Sequence, residues 1–183
     1  MANGLYQDKY RIASARRTGY DYSQDGGYFV TICTQNRTWY FGEVVPAADA
    51  LTDAYLTGTA LANRAQECWQ QMPEHFSFVK PDALVIMPDH VHGILFIRRA
   101  ADDAPRVNAS FGAQSSNLAA VVRGFKVGVK AWATRQGLDF AWQPGYYDRV
   151  IRNEKELEKI RRYIGGNLNQ WAEEAGNEGG LFR

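Results

Sequence analysis

Apolar residues run almost without interruption through GYFVTICTQ, Gly27–Gln35, where β-branched and aromatic side chains dominate. That composition predicts a strand, and because both of its faces are apolar, a central one. Tyr40–Val45 reads as a short edge segment. Beyond Thr59, which is placed as a cap, the spacing turns helical: Leu61, Ala65, Cys68, Trp69 and Met72 fall on one face. Pro81 punctuates the chain before ALVIMPDHVHGILFI, Ala83–Ile97. This run is too β-branched for a helix and is broken by Pro88, which predicts two strands meeting at Met87-Pro88-Asp89.

Residues 98–114 have no periodicity and read as a surface loop. A second helix is expected from about Ser116 to Arg135. Its buried stripe is Leu118, Val121, Val122, Phe125, Val129 and Trp132, and Gly137 is placed to stop it. Gly124 and Gly128 suit close approach of another segment, or are simply tolerated. Phe140–Gln143 and Tyr146–Ile151 look extended. Asn153-Glu-Lys-Glu156 is a capping box, with Glu156 expected to return a bond to the cap. The third helix carries Leu157, Ile160, Ile164 and Trp171 on one side, and Gly165-Gly166 are expected near its end. The tail, residues 175–183, is expected to fray. Strands and helices in this order predict an α+β protein: an antiparallel sheet with helices packed on one face.

Composition narrows the class. The chain has 183 residues, 45% hydrophobic and 22% charged, which fits a single domain, 1–183, with a core over about 17–171 and a loose arm at 1–16. No run of ~18 apolar residues offers a membrane span. The opening MANGLYQDKYRIASARR lacks a secretory apolar core, so the cytoplasm is the expected location. Two cysteines exclude a disulfide framework. The net charge of +1 is uneven: residues 111–183 carry eleven Lys/Arg against eight Asp/Glu. Such clustering permits a polyanionic partner and equally fits a solvated surface. No GxGxxG or GxxxxGK[ST] phosphate loop is present.

Two constellations could carry chemistry. In a strand, His90 and His92 point to the same face, so two imidazoles can converge on one divalent cation. The alternative is a pair of satisfied histidines, but two such polar groups in so apolar a strand need partners. On the third helix, Tyr163 and Asn167 are stacked neighbours at i and i+4. A phenol with a pKa near 10 is a weak nucleophile unless a metal assists the leaving group. A core aromatic beside a helix-end Asn fits the same spacing.

MPDHVHGILFI resembles the His-hydrophobic-His signature of the HUH endonucleases. WQPGYYDRVIRNEKELEKIRRYIGGNLNQW resembles the tyrosine-bearing end of the single-tyrosine transposases of small bacterial insertion sequences. In particular it is similar to their solitary relatives, the tyrosine transposases associated with repetitive extragenic palindromes. YFVTICTQNRTWYFGEVV and ECWQQMPEHF extend the likeness over most of the chain.

The resemblance implies a ferredoxin-like or RNA-recognition-like antiparallel sheet. It implies Tyr163 as nucleophile, and His90, His92 and Asn167 as ligands of Mg²⁺ or Mn²⁺. The family pattern has Pro after the Asn. Leu168 stands there, a change in helix exit rather than in chemistry. The implied reaction is nicking and strand transfer of single-stranded DNA with hairpin or palindromic ends, through a 5′-phosphotyrosine. The implied state is a monomer, with a homodimer as alternative. Arg123, Lys126, Lys130, Arg149, Arg152 and Arg162 are expected on the DNA backbone, and Arg16, Arg17 and Tyr20 at bases or a hairpin stem. Tyr146 and Tyr147 are rival tyrosines, read as strand residues. Two other readings stand beside this one: a domesticated binder that no longer cuts, and a metal hydrolase in which Tyr163 is structural.

Overall fold

The computed structural model describes residues 24–49, 51–99 and 117–176. The elements are β1 (Gly26–Cys33), β2 (Gly42–Val45), β3 (Tyr55–Gly58), α1 (Ala60–Gln70), α2 (Met72–His75), β4 (Val79–Met87), β5 (His90–Ile97), α3 (Leu118–Arg135), β6 (Tyr147–Ile151) and α4 (Glu154–Gly176). An antiparallel sheet in the order β4-β5-β1-β6 forms the frame, and β2 and β3 make a separate hairpin. The α+β architecture is the one expected from the sequence.

The helices, however, divide between both faces of the sheet instead of one. Tyr28, Val30 and Ile32 of β1 and Val91, Leu95 and Ile97 of β5 pack against α1 and α3. The alternate residues, Phe29, Ile94 and Phe96, meet Leu157, Ile160 and Ile164 of α4. The reason is visible in β1 and β5: strands apolar on both faces must be covered on both.

Local chemistry accounts for the element ends. The Thr59 hydroxyl accepts from the Ala62 N–H at 3.3 Å, and Asn117 Oδ1 accepts from the Ala120 N–H at 3.0 Å, each capping its helix. At α4, Asn153 Oδ1 accepts from the Glu156 N–H at 2.9 Å. Glu156 Oε2 accepts from the Arg152 N–H at 3.0 Å, one residue before the expected cap. Gly137 ends α3 with φ +69°. A Cβ on Gly124 would lie 2.9 Å from the Phe76 ring, and one on Gly128 would lie 3.2 Å from Cys68 Sγ. The two glycines therefore admit neighbouring side chains.

Three local expectations change. Pro81 lies inside β4, at a break in register between Pro81 and Leu84; β4 is an edge strand, where Pro is tolerated. The segment around Tyr40–Val45 pairs with β3, not with the main sheet. Gly165 and Gly166 are interior to α4, which runs on to Gly176. Two bonds hold this extension: Asn169 accepts from the Ala54 N–H at 2.6 Å and donates to Asp53 at 2.8 Å. The helix passes Asn167 without a break because Leu168, unlike Pro, keeps its backbone N–H. Arg16, Arg17 and Tyr20, most of the 98–114 loop and residues 177–183 lie outside the described residues. Among the described residues no helix is long and apolar enough to cross a membrane.

Candidate active site

Strand alternation puts Thr31 of β1 and His90 and His92 of β5 on the face covered by α4. Thr31 pairs directly with His92. One turn of α4 separates Tyr163 from Asn167, so both point down at that face. Tyr163, His90, His92 and Asn167 thus line one cavity of about 200 Å³. His90, His92 and Asn167 are buried, whereas Tyr163 is 43% exposed. Two larger clefts, of about 620 and 660 Å³, hold none of these four residues.

The imidazoles face each other, with His90 Nε2 3.0 Å from His92 Nε2. The Tyr163 hydroxyl lies 3.3 Å from His92 Nε2. Each outer nitrogen is held: His90 Nδ1 by Asp89 Oδ1 at 2.6 Å, His92 Nδ1 by Thr31 Oγ1 at 2.8 Å. The Asp89 carboxylate accepts from the Nδ1–H of His90, so in the neutral ring the lone pair lies on Nε2, facing His92. In the metal-free protein, His92 then donates from Nε2 to His90 and accepts from the Thr31 hydroxyl. The hydroxyl can equally accept, which lets the His92 proton move to Nδ1 and bares both Nε2 atoms together.

The donor set fits a divalent cation. Burial, then the neighbouring His90, then Arg37, push the His92 imidazolium down to about 3. The ring is therefore neutral at physiological pH, a weak base whose lone pair is available. Two ligand atoms ~2.1 Å from one ion and at right angles are about 3.0 Å apart, the separation of the two Nε2 atoms. Asn167 lines the same cavity, and its amide oxygen is of the type that could complete such a donor set; among the described residues no three His, Cys, Asp or Glu side chains form a cluster of their own.

The sequence reading missed the supports of this pair. Asp89 is buried and also bonds Arg37, Nε to Oδ2 at 2.8 Å. Arg37 in turn donates to Cys33 Sγ at 2.9 Å and lines the cavity. Burial, partly offset by that guanidinium, raises the Cys33 thiol. A carboxylate heading an apolar strand was the available signal for Asp89, since such a group must be paired. Nothing in the sequence pattern ties Arg37 to it. Gln170 and Glu174 also line the cavity, three and seven residues beyond Asn167, a helical spacing that was readable.

The expected DNA contacts scatter. Lys126 donates to the carbonyls of Gln143 and Gly145 at 2.7 and 2.8 Å, and Lys130 donates to that of Phe140. These two brace the 140–145 segment on α3, across the sheet from the cavity, and Arg123 lies on the same helix. Arg149, on the cavity face of β6, pairs with Glu156. Arg152 and Arg162 are exposed, Arg162 beside Tyr163. Tyr147 opens β6 opposite Thr31, and Tyr146 packs against the α1–α3 core.

No family model matches the chain. An uncharacterised protein of Haemophilus influenzae is 33% identical over 169 residues, 88% of this chain and 90% of that one. The solved structure of a REP-associated tyrosine transposase bound to a REP hairpin matches with a TM-score of 0.54 at 18% identity, over 91% of this chain and 74% of that one. A transposase-like protein of Deinococcus radiodurans matches over 82% of this chain and 95% of its own, at 18% identity and a TM-score of 0.38. The chain therefore belongs to one family with the Haemophilus influenzae protein, and its fold is that of the REP-associated tyrosine transposases.

Proposed function

We propose that this protein is a metal-dependent nickase and strand transferase of single-stranded DNA, a tyrosine transposase whose nucleophile is Tyr163. One observation carries the reading: a half-exposed phenol and two facing imidazoles, with outer nitrogens fixed by Asp89 and Thr31, share one cavity with Asn167. His90, His92 and Asn167 would hold Mg²⁺ or Mn²⁺, which when bound offsets charge growing on the phosphate and the leaving oxygen. The Tyr163 oxygen attacks phosphorus and gives up its proton to solvent, the bond from phosphorus to the 3′ oxygen breaks, and that oxygen takes a proton from solvent to leave as a free 3′-OH. DNA remains joined to Tyr163 through a 5′-phosphate. The phosphotyrosine keeps the energy of the broken bond, so a second 3′-OH can reverse the step without ATP.

Arg37 reaches the cavity with its side chain still 45% exposed, suited to a phosphate oxygen. His92, too weak a base to take the tyrosine proton, serves through its lone pair. The substrate is a single strand ending in a hairpin, by analogy with the hairpin on the structural relative. Arg149, Arg152 and Arg162 border the α4 side. Arg123, Lys126 and Lys130 would contact DNA only where it wraps around the sheet edge. The working unit is a monomer.

The test is a denaturing gel for a covalent adduct. Labelled single-stranded hairpin oligonucleotides are incubated with Mn²⁺ or Mg²⁺, with the natural chain and Tyr163→Phe side by side. An adduct that vanishes in Tyr163→Phe is the expected result. Cleavage without an adduct, unchanged in the variant, would replace this reading with a metal hydrolase. Binding without cleavage would replace it with a non-cutting binder.

A further inference from the structure

We propose that Trp39 is a stacking platform for an unpaired nucleobase flanking the cut, an inference that rests on the strand-transfer reading above. Trp39 is 56% exposed. Single apolar residues on a surface are ordinary; its placement is not. Its ring lies 6.0 Å from Trp171, edge to face. Trp171 is buried, lines the catalytic cavity and lies 6.0 Å from the His90 ring. Trp39 therefore stands one aromatic ring away from the histidine pair, and an edge contact leaves ring surface open.

The backbone that presents Trp39 is fixed to the same site. Asn36 and Arg37 both have φ +55°, a left-handed conformation that strains an arginine and persists only where its surroundings hold it. Three bonds hold the segment in place. Arg37 pairs with Asp89 at 2.8 Å, Thr34 Oγ1 donates to the Thr38 carbonyl at 2.8 Å, and the Tyr40 N–H donates to that same carbonyl at 2.9 Å. The two residues before Trp39 therefore brace it, and one of them is bonded to the carboxylate that orients His90.

Single-stranded DNA offers the chemistry this ring can use. Every unpaired base has a π-face, and stacking on an aromatic side chain is sequence-tolerant. A base resting on Trp39 leads its own phosphate toward Arg37, two residues back along the chain and partly exposed. One base would then be held beside the cavity while the adjoining phosphate enters it. A protein partner on the same ring would leave DNA binding untouched, which the test below detects.

The experiment uses the full chain carrying Tyr163→Phe, so that binding is read without covalent capture. Fluorescence anisotropy measures its affinity for hairpin oligonucleotides in which each nucleotide flanking the cut is made abasic in turn; the cut is located with the natural chain. The expected result is one position at which base removal weakens binding on the order of 10-fold. That penalty should disappear in Trp39→Ala and persist largely in Trp39→Phe, which keeps a ring and guards against a folding artefact. If Trp39→Ala binds every oligonucleotide as the parent does, or keeps the same abasic profile, the platform is overturned, while an adduct at Tyr163 leaves the strand-transfer reading standing. A chain that binds no single strand overturns both.

Discussion

The Tyr163 hydroxyl lies 3.3 Å from Nε2 of His92, and one side chain, Phe29, sets the angle between the two rings. Phe29 stacks on His92 at 5.3 Å and meets Tyr163 edge-on at 6.1 Å. Phe29→Ala should lose about 2–3 kcal/mol of stability, less than a fully buried Phe because Phe29 is only half-buried. It should also slow adduct formation more than it weakens DNA binding. Phe29→Leu should recover stability in urea melts without recovering the rate.

Acid should unfold the metal-free protein through His92. Its folded pKa of about 3 lies below the usual 6.5. The unfolded chain therefore binds the extra proton first, and stability present above pH 6.5 is lost as pH falls toward 3. At roughly 1.4 kcal/mol per unit the whole window is worth a few kcal/mol. Thermal melts with chelator from pH 7.5 to 4 should fall steadily. His92→Gln should flatten the slope, and an unchanged slope would remove His92 as its source.

Asp89 should control metal affinity without touching the metal. Asp89→Asn keeps the size of the side chain but removes the charge that fixes the Nδ1 proton of His90. Losing the partner that orients a metal-binding imidazole typically costs 10- to 100-fold in affinity, which calorimetric titration with Mn²⁺ can read. Asp89→Ala leaves the buried Nδ1–H of His90 without its acceptor, while Arg37 keeps its access to water, and should cost about 1–3 kcal/mol of stability.

Gly93, next to His92, faces the opposite side of β5. A Cβ there would lie 2.3 Å from ring carbons of Trp69, which is 2% exposed. Gly93→Ala should destabilise by about 1–3 kcal/mol or more and shift the Trp69 emission. A variant with an unchanged melting temperature would mean that the α1 side of the sheet yields easily.

The sequence disclosed the parts of the site that obey a period. His90 and His92 share a strand face, Tyr163 and Asn167 a helix face, and the turn at Met87-Pro88-Asp89 was marked by Pro88. Helix starts at Thr59 and Asn153 followed from capping chemistry. Long-range choices were not legible. The partner of Asp89 is Arg37, more than fifty residues away, reached through a turn with two non-glycine residues in a left-handed conformation. Lys126 and Lys130 read as DNA-backbone contacts because their true acceptors are backbone carbonyls, which every residue carries. Gly165-Gly166 read as a helix end because propensity is local, while the bonds from Asn169 to the β3 approach override it. The division of helices between two faces was implicit in β1, whose apolar residues already pointed both ways.

The order of the chain also times the assembly of the site. β1, β5 and the Arg37 turn all precede α4, and they can form the histidine pair with its outer bonds before any residue of that helix has been synthesised. The phenol and the amide arrive last, on one rigid element seated over Ile94 by Leu157, Ile160 and Ile164. On the strand-transfer reading, a nascent chain therefore carries the histidine pair before it carries either the third metal ligand or the nucleophile, and cleavage waits until the final helix has docked.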